Sequence, residues 1–167
     1  VVPDASYLAS PTMLDYEQLF KAEVLSGREN RMRHFNQTTL VAMGLGRFIE
    51  RLHTEKHSKT LFVTHNSRSD IILGFIAHGQ VHEERWGGAW RAGMIIAGEP
   101  HRYALPESII STISNSNSPI LHAPVSTYDA MLQITNYTAK LSALDSSRTS
   151  AAIEHYEPYI NFDLILK

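Results

Sequence analysis

The sequence predicts a three-layer α/β sandwich built on a mostly parallel sheet of about five strands. Three observations predict it. Short apolar runs alternate with helical patterns along most of the 167 residues. The runs are continuous rather than alternating in polarity, as expected of strands covered on both faces. The spacing between them suits crossover helices, the connection that parallel neighbours require.

Each element has its own signal. At the front, "TMLDYEQLFKAEVLSG" reads as a short helix followed by a short strand ending at Gly27. "TTLVAMG" (38–44) is strand-like. In "LGRFIERLH" the residues Leu45, Phe48, Ile49 and Leu52 recur at i, i+3, i+4 and i+7, the stripe of an amphipathic helix. "TLFVTH" (60–65) is the next strand, and "SDIILGFIAHG" a helix closed by Gly79 at its C-terminus. "GMIIAGE" (93–99) is a third strand of the main run. Pro106 suits the first turn of the helix "PESIISTIS". "PILHAP" (119–124) is a strand bounded by prolines, and "STYDAMLQITNYT" a helix capped by Ser126 or Thr127. The last helix, "SSRTSAAIEHYEPYI", is expected to turn Ile153, Tyr156 and Ile160 inward and to end near Pro158. The stretch "HGQVHEERWGGAWRAG" (78–93) reads as a surface loop, or as an aromatic contact surface for a partner.

Composition excludes several classes. With 15 basic and 17 acidic residues and no Lys/Arg run, the chain lacks the electrostatic footprint of a nucleic-acid binder. No apolar run reaches the length of about 18 residues that a bilayer needs, so no membrane is expected as partner. The absence of cysteine removes disulfides, thiolate metal sites and a Cys nucleophile, and fits a cytoplasmic protein. The chain opens "VVPDASYLAS", which reads like a piece of a longer polypeptide; residues 1–12 are expected to be the tail of a preceding domain or a linker, and residues 13–167 one domain.

Catalytic motifs are missing. There is no phosphate-binding loop of the G-x-x-x-x-G-K-[ST] type, no G-x-S-x-G and no H-E-x-x-H, and "GLGRF" (44–48) carries only two glycines of a dinucleotide fingerprint. Nine histidines include the pairs His53/His57 and His78/His82; each reads as surface histidine, the second pair interrupted by Gly79. No catalytic residue, metal ligand or cofactor is therefore assigned. The informative stretch is "LFVTHNSRSDIILGF" (61–75), where polar residues crowd between a buried strand and a buried helix. In an open parallel sheet, ligands bind outside the carboxyl ends of the strands, where helix N-termini point. Segments 42–44, 64–68, 97–100 and 123–127 should meet at that edge. The candidate ligand-binding residues are Thr64, Asn66, Ser67, Arg68, Asp70, Gly98, Glu99, Ser126 and Thr127. Ser67 or Ser69 also suits a helix N-cap, and Arg68 is the fixed cation among these turns, suited to phosphate or carboxylate. A small anionic metabolite is the expected ligand.

These residues carry a family resemblance. "LFVTHNSRSDIILGFIAHG" resembles the strand–turn–helix of DRTGG domains, usually T-x-x-D-R-x-D-I, and "GMIIAGEP" resembles the I-L-T-G-G strand that follows. "PILHAPVSTYDAML" is similar to P-V-L-x-V-x-x-D-T-Y, "AAIEHYEPYINFDLI" to the family's last helix, and "FKAEVLSGRENRMRHFNQTTLVAMG" to its A-E-V-L-x-G … V-x-A-M segment. The resemblance runs from about residue 13 to 166. It implies the three-layer fold shared with the N-terminal domain of HPr kinase. It also implies a place in long phosphate acetyltransferases or beside dethiobiotin-synthetase-like ATPase domains, with the opening residues looking like the tail of the latter. The implied role is non-catalytic: regulation or assembly, with a homodimer as the simplest partner, also suggested by the aromatic "WGGAW". Two alternatives stand beside it, a contribution to an active phosphate acetyltransferase assembly and a purely structural dimerisation module. This sequence departs from the family pattern at Ser67, where the family has Asp, and at Ala97-Gly98-Glu99, where it has Thr-Gly-Gly, so a carboxylate replaces one glycine.

Overall fold

The structure is a computed structural model describing residues 5–53, 59–86 and 90–160. The chain forms two compact units, residues 11–137 and a smaller one from residues 1–10 and 138–167.

The larger unit holds a five-stranded sheet. Its strands are β1 (Val24–Ser26), β2 (Gln37–Leu40), β3 (Thr60–His65), β4 (Gly93–Ala97) and β5 (Ile120–Ala123), in spatial order β1-β5-β4-β3-β2. The pairs β2–β3, β3–β4 and β4–β5 are parallel; β1 joins β5 antiparallel. The helices are α1 (Met13–Phe20), α2 (Leu45–Leu52), α3 (Ser69–Trp86), α4 (Glu107–Ser114) and α5 (Thr127–Asn136).

Strand alternation divides the core into two layers. Phe62, Met94, Ile96 and Ile120 point to one face and pack with Phe48 and Leu52 of α2, Ile71, Ile72, Phe75 and Ile76 of α3, and Ile109 and Ile113 of α4. Leu61, Val63, Ile95, Ala97, Leu121 and Ala123 point to the other and meet Met13, Tyr16 and Phe20 of α1 and Ala130 and Ile134 of α5. The expected three-layer α/β sandwich is the fold observed. The chain walks from β2 to β5 in one direction across the sheet, and the three intervening helices share one face. After β5 the chain crosses over, and α5 covers the opposite face. The turn after β4 and the turn after β5 therefore leave adjacent strand ends toward opposite faces. Such divergence opens a crevice, as at the switch point of a doubly wound sheet.

Several boundaries differ from the sequence expectation. β2 stops at Leu40, because Val41 turns into the core and Gly44 begins α2. β4 ends at Ala97 and β5 at Ala123. Pro106 precedes α4 as its N-cap, and Ser126, not Thr127, caps α5. The largest correction concerns α3, which does not close at Gly79 but runs on to Trp86. Gly79 has a packing reason instead: its missing side chain admits the Trp90 ring, whose Cδ1 would lie 3.0 Å from an added Cβ. Trp90 is 1 % exposed. It is core rather than loop or contact surface, and Arg33 Nη1 donates to its carbonyl at 2.6 Å. Residues 87–89 of "WGGAW" lie outside the described residues.

Because the helix continues, His78 and His82 do share a face, with ring centroids 6.1 Å apart. His78 also stacks edge-on against His53 at 5.0 Å and Trp90 at 4.8 Å. Burial, helped by His53 and His82, pushes the His78 pKa down to about 4, so the ring is a neutral core group. His57 lies outside the described residues.

In the smaller unit, α6 (Ser146–Tyr156) starts at Asp145, whose side chain accepts the Arg148 N–H, and gives way at Pro158 to a short 3-10 turn (Glu157–Tyr159). The expected inward face is wrong: Ile153, Tyr156 and Ile160 are exposed, and Ala152 and Arg148 are buried. Arg148 wins the interior because its guanidinium is matched there. It pairs with Asp145 at 3.2 Å and donates to the carbonyls of Ser10 and Lys140, both at 2.9 Å.

Candidate functional site

Parallel register brings the ends of β3, β4 and β5 level: His65 pairs with Ala97, and Ala97 with Ala123. The ladder continues one step beyond, since Asn66 N–H donates to the Ala97 carbonyl (2.9 Å) and Gly98 N–H to the Ala123 carbonyl (3.1 Å). At this edge lies a crevice of about 110 Å³ lined by His65, Asn66, Gly98, Glu99, Arg102, Tyr103, Ser126 and Thr127.

Asn66 forms the floor. Its side chain is fully buried. Nδ2 donates to the Tyr103 carbonyl at 2.5 Å. A carbonyl only accepts, so the amide nitrogen must face it, and Oδ1 is the atom left over. That oxygen is buried without a hydrogen-bond partner. Gly98 makes the position possible, because a Cβ there would overlap the Asn66 carboxamide. The Gly98 carbonyl in turn accepts the half-buried His122 Nε2 at 3.0 Å. Burial lowers the His122 pKa, and the bond to Gly98 partly opposes this.

One wall is the turn after β4. Arg102 and Tyr103 fold back with their N–H groups on the Glu99 carbonyl. The Glu99 carboxylate makes loose pairs with Arg102 (3.6 Å) and His101 (3.7 Å) on the rim. The other wall is the start of α5. Ser126 Oγ accepts the Asp129 N–H at 3.1 Å and donates to the Asp129 carboxylate at 2.6 Å. Thr127 opens the helix, its Oγ1 buried without a hydrogen-bond partner. His65 completes the ring: Ser67 N–H and Oγ both meet Nδ1, at 3.1 and 2.7 Å. In the neutral ring Nδ1 therefore accepts and Nε2 carries the proton.

Of the nine candidate residues, the structure gathers Asn66, Gly98, Glu99, Ser126 and Thr127 in this crevice. Thr64 is buried on the α2–α4 face, beside Ile96 and His122 in register, with Oγ1 unpartnered. Ser67, Arg68 and Asp70 lie outside the lining. Arg68 grips Asp70 with Nε and Nη2, both at 2.8 Å, and Nη2 also donates to the Met43 carbonyl at 3.1 Å. The pair holds the Asp70 carboxyl below its usual range and the Arg68 guanidinium above its own. Neither serine caps α3: Ser67 is turned to His65, Ser69 is already helical, and Arg68 takes the N-cap position with its carbonyl on Ile72 N–H. Sequence reasoning missed His65, Arg102 and Tyr103. The available signal was Glu99-Pro100, a turn-forming pair after which the chain doubles back. Among the described residues no three His, Asp or Glu side chains group as a metal would require, and no helix is long and apolar enough to cross a membrane.

Fold and crevice together define an open α/β domain with a small polar site where two turns diverge from a parallel sheet. The chain belongs to the DRTGG domain family, which it matches over residues 16–137. It is similar to a phosphate acetyltransferase of Nitratidesulfovibrio vulgaris, with 24% identity over 163 residues. The match covers 96% of this chain and 22% of that enzyme, so the chain spans about a fifth of the relative's length. No solved structure matches.

Proposed function

We propose that this chain is a regulatory domain of a larger protein of the phosphate acetyltransferase kind, and that it senses a small anionic metabolite in the crevice between β4 and β5. Family membership and the small share of the relative support a domain that works within a longer polypeptide. The observation that carries the sensing role is the meeting of Asn66, Gly98 and the α5 N-terminus in one crevice. A helix start favours an anion by about 0.3–1 kcal/mol per charge near the surface, and Arg102 on the rim adds a cation. Glu99 limits the charge that can be accepted. Self-association stays a separate proposal, without Trp90 as its contact, because that ring is in the core.

A thermal-shift panel of inorganic phosphate, acyl phosphates, carboxylates and nucleotides tests the reading. At a ligand concentration 100 times its Kd, mass action stabilises the native state by about 2.7 kcal/mol, a clear rise in Tm. A panel in which no anion raises the Tm would overturn the sensing role.

A further inference from the structure

We infer that the crevice selects anions that carry a hydroxyl group, and that Asn66 Oδ1 and Thr127 Oγ1 are the atoms that read it. The inference rests on the anion-sensing reading above and names the ligand class for that site.

The two atoms form an incomplete set. A buried polar oxygen without a partner forfeits a hydrogen bond, so proteins rarely leave one in place. Here two belong to residues that line the same crevice of about 110 Å³. They are not interchangeable. Asn66 Oδ1 can only accept, because its amide nitrogen is committed to the Tyr103 carbonyl. Thr127 Oγ1 can donate as well as accept. The complementary group must donate to one and can accept from the other, which describes a hydroxyl. An ammonium donates but cannot accept, and it would want a free carboxylate. Glu99, the one carboxylate of the lining, already faces His101 and Arg102. A short carboxylate or a fully ionised alkyl phosphate would satisfy the helix start and Arg102 but bring no donor to Asn66. The volume limits the ligand to a few heavy atoms inside the crevice, with its anionic group toward α5 and the rim. The class is therefore a short hydroxylated phosphate or carboxylate.

Matched probes separate the parts of this reading. Titration calorimetry on the full 167-residue chain would compare sn-glycerol 3-phosphate with n-propyl phosphate, and glycerate with propionate. The members of each pair differ in hydroxyl groups alone, and the two pairs distinguish a phosphate from a carboxylate as the anionic end. At least one hydroxylated probe is expected to bind tenfold or more tightly than its partner. Thr127→Val keeps the shape of the side chain and removes Oγ1. It should cut that preference to a few-fold while leaving the Tm of the free protein equal or higher, because an unpartnered hydroxyl has been removed. Equal binding within both pairs would overturn the hydroxyl inference and leave the anion reading standing. A preference that Thr127→Val does not change would overturn the role of Thr127 and with it the inference. Failure of all four probes to bind would remove the inference for this class, and the broader anion panel would then decide the sensing role independently.

Discussion

The turns that follow β3 and β4 leave the sheet side by side at one edge, yet they handle their polar groups in opposite ways. After β3, the side chains close on each other: Arg68 with Asp70 and the Met43 carbonyl, Ser67 with His65. Asn66 of that same turn is the exception: the turn after β4 makes room for it, because Gly98 contributes no side chain, and Asn66 lines the crevice with its Oδ1 buried and without a hydrogen-bond partner. The lesson is that a row of polar residues in sequence does not mark a site by itself. The most conspicuous group, the charged Arg68–Asp70 pair, is occupied with its own structure. The neutral Asn66 between them and the strand, seated against a glycine of the next turn, is the one that lines the crevice and keeps an unmatched oxygen.

The comparison breaks most severely at Gly98. Gly98→Ala drives a Cβ into the Asn66 carboxamide, and neither side can move cheaply: Asn66 is tied to Ala97 and Tyr103, Gly98 to Ala123 and His122. A loss of about 3 kcal/mol or more is expected, at the upper end of overpacking. Gly46→Ala in α2 is the control, since nothing lies near an added Cβ there. It should be neutral or stabilise by up to about 1 kcal/mol. Urea midpoints of the two variants measure the contrast.

Acid should part the two turns in a set order. The His122 pKa is lowered from 6.5 in the folded state, so the unfolded chain binds the proton more readily. The stability contribution is full above about pH 6.5 and is lost as pH falls through the lowered value. Asp70 is lowered from 3.8, so the Arg68–Asp70 tie keeps its contribution until pH drops below that range. Amide resonances of Gly98 should therefore shift at higher pH than those of Arg68 and Asp70. The reverse order, followed by NMR, would show that the His122–Gly98 bond does not hold the crevice wall. His78 titrates in the same acid range, so global unfolding cannot substitute for this local readout.

The smallest effect belongs to Arg68→Ala. The pair is partly exposed, and its removal should cost about 1 kcal/mol or less. Because the guanidinium is turned away from the crevice lining, affinity for the best anion should change less than twofold by calorimetry. A tenfold loss would restore Arg68 as a direct ligand contact.

Much of the fold was legible because β3, β4 and β5 are continuous apolar runs with turn-formers between them, a pattern few other structures produce. The far half of α3 was not, since Gly79 and the polar "HEER" look like an ending unless one knows that Trp90 will pack against that glycine. The inward face of α6 was misread for a related reason. Hydrophobicity nominated Ile153 and Tyr156, whereas the deciding factor was a carboxylate and two carbonyls placed to receive Arg148. At the site, the edge was readable from topology rules alone. Which side chains face the crevice was not, because Arg68 finds its partner two residues away and Tyr103 arrives only by a turn.

The order of the strands also bears on how the chain finds this structure. β2 through β5 are neighbours both in sequence and in space, so each pairing closes a short loop and can form progressively. β1 is different: Val24 must find Leu121, and Gly27 must seat against Ser118, across most of the unit. Loop closure over that separation carries a larger entropic cost, and long-range pairings slow folding. The parallel run is thus a nucleus that can assemble first, with β1 zipped onto its edge late. The crevice, built from the ends of β3 and β4, the turn after β4 and the start of α5, lies within that parallel run and is expected to form with it rather than with β1.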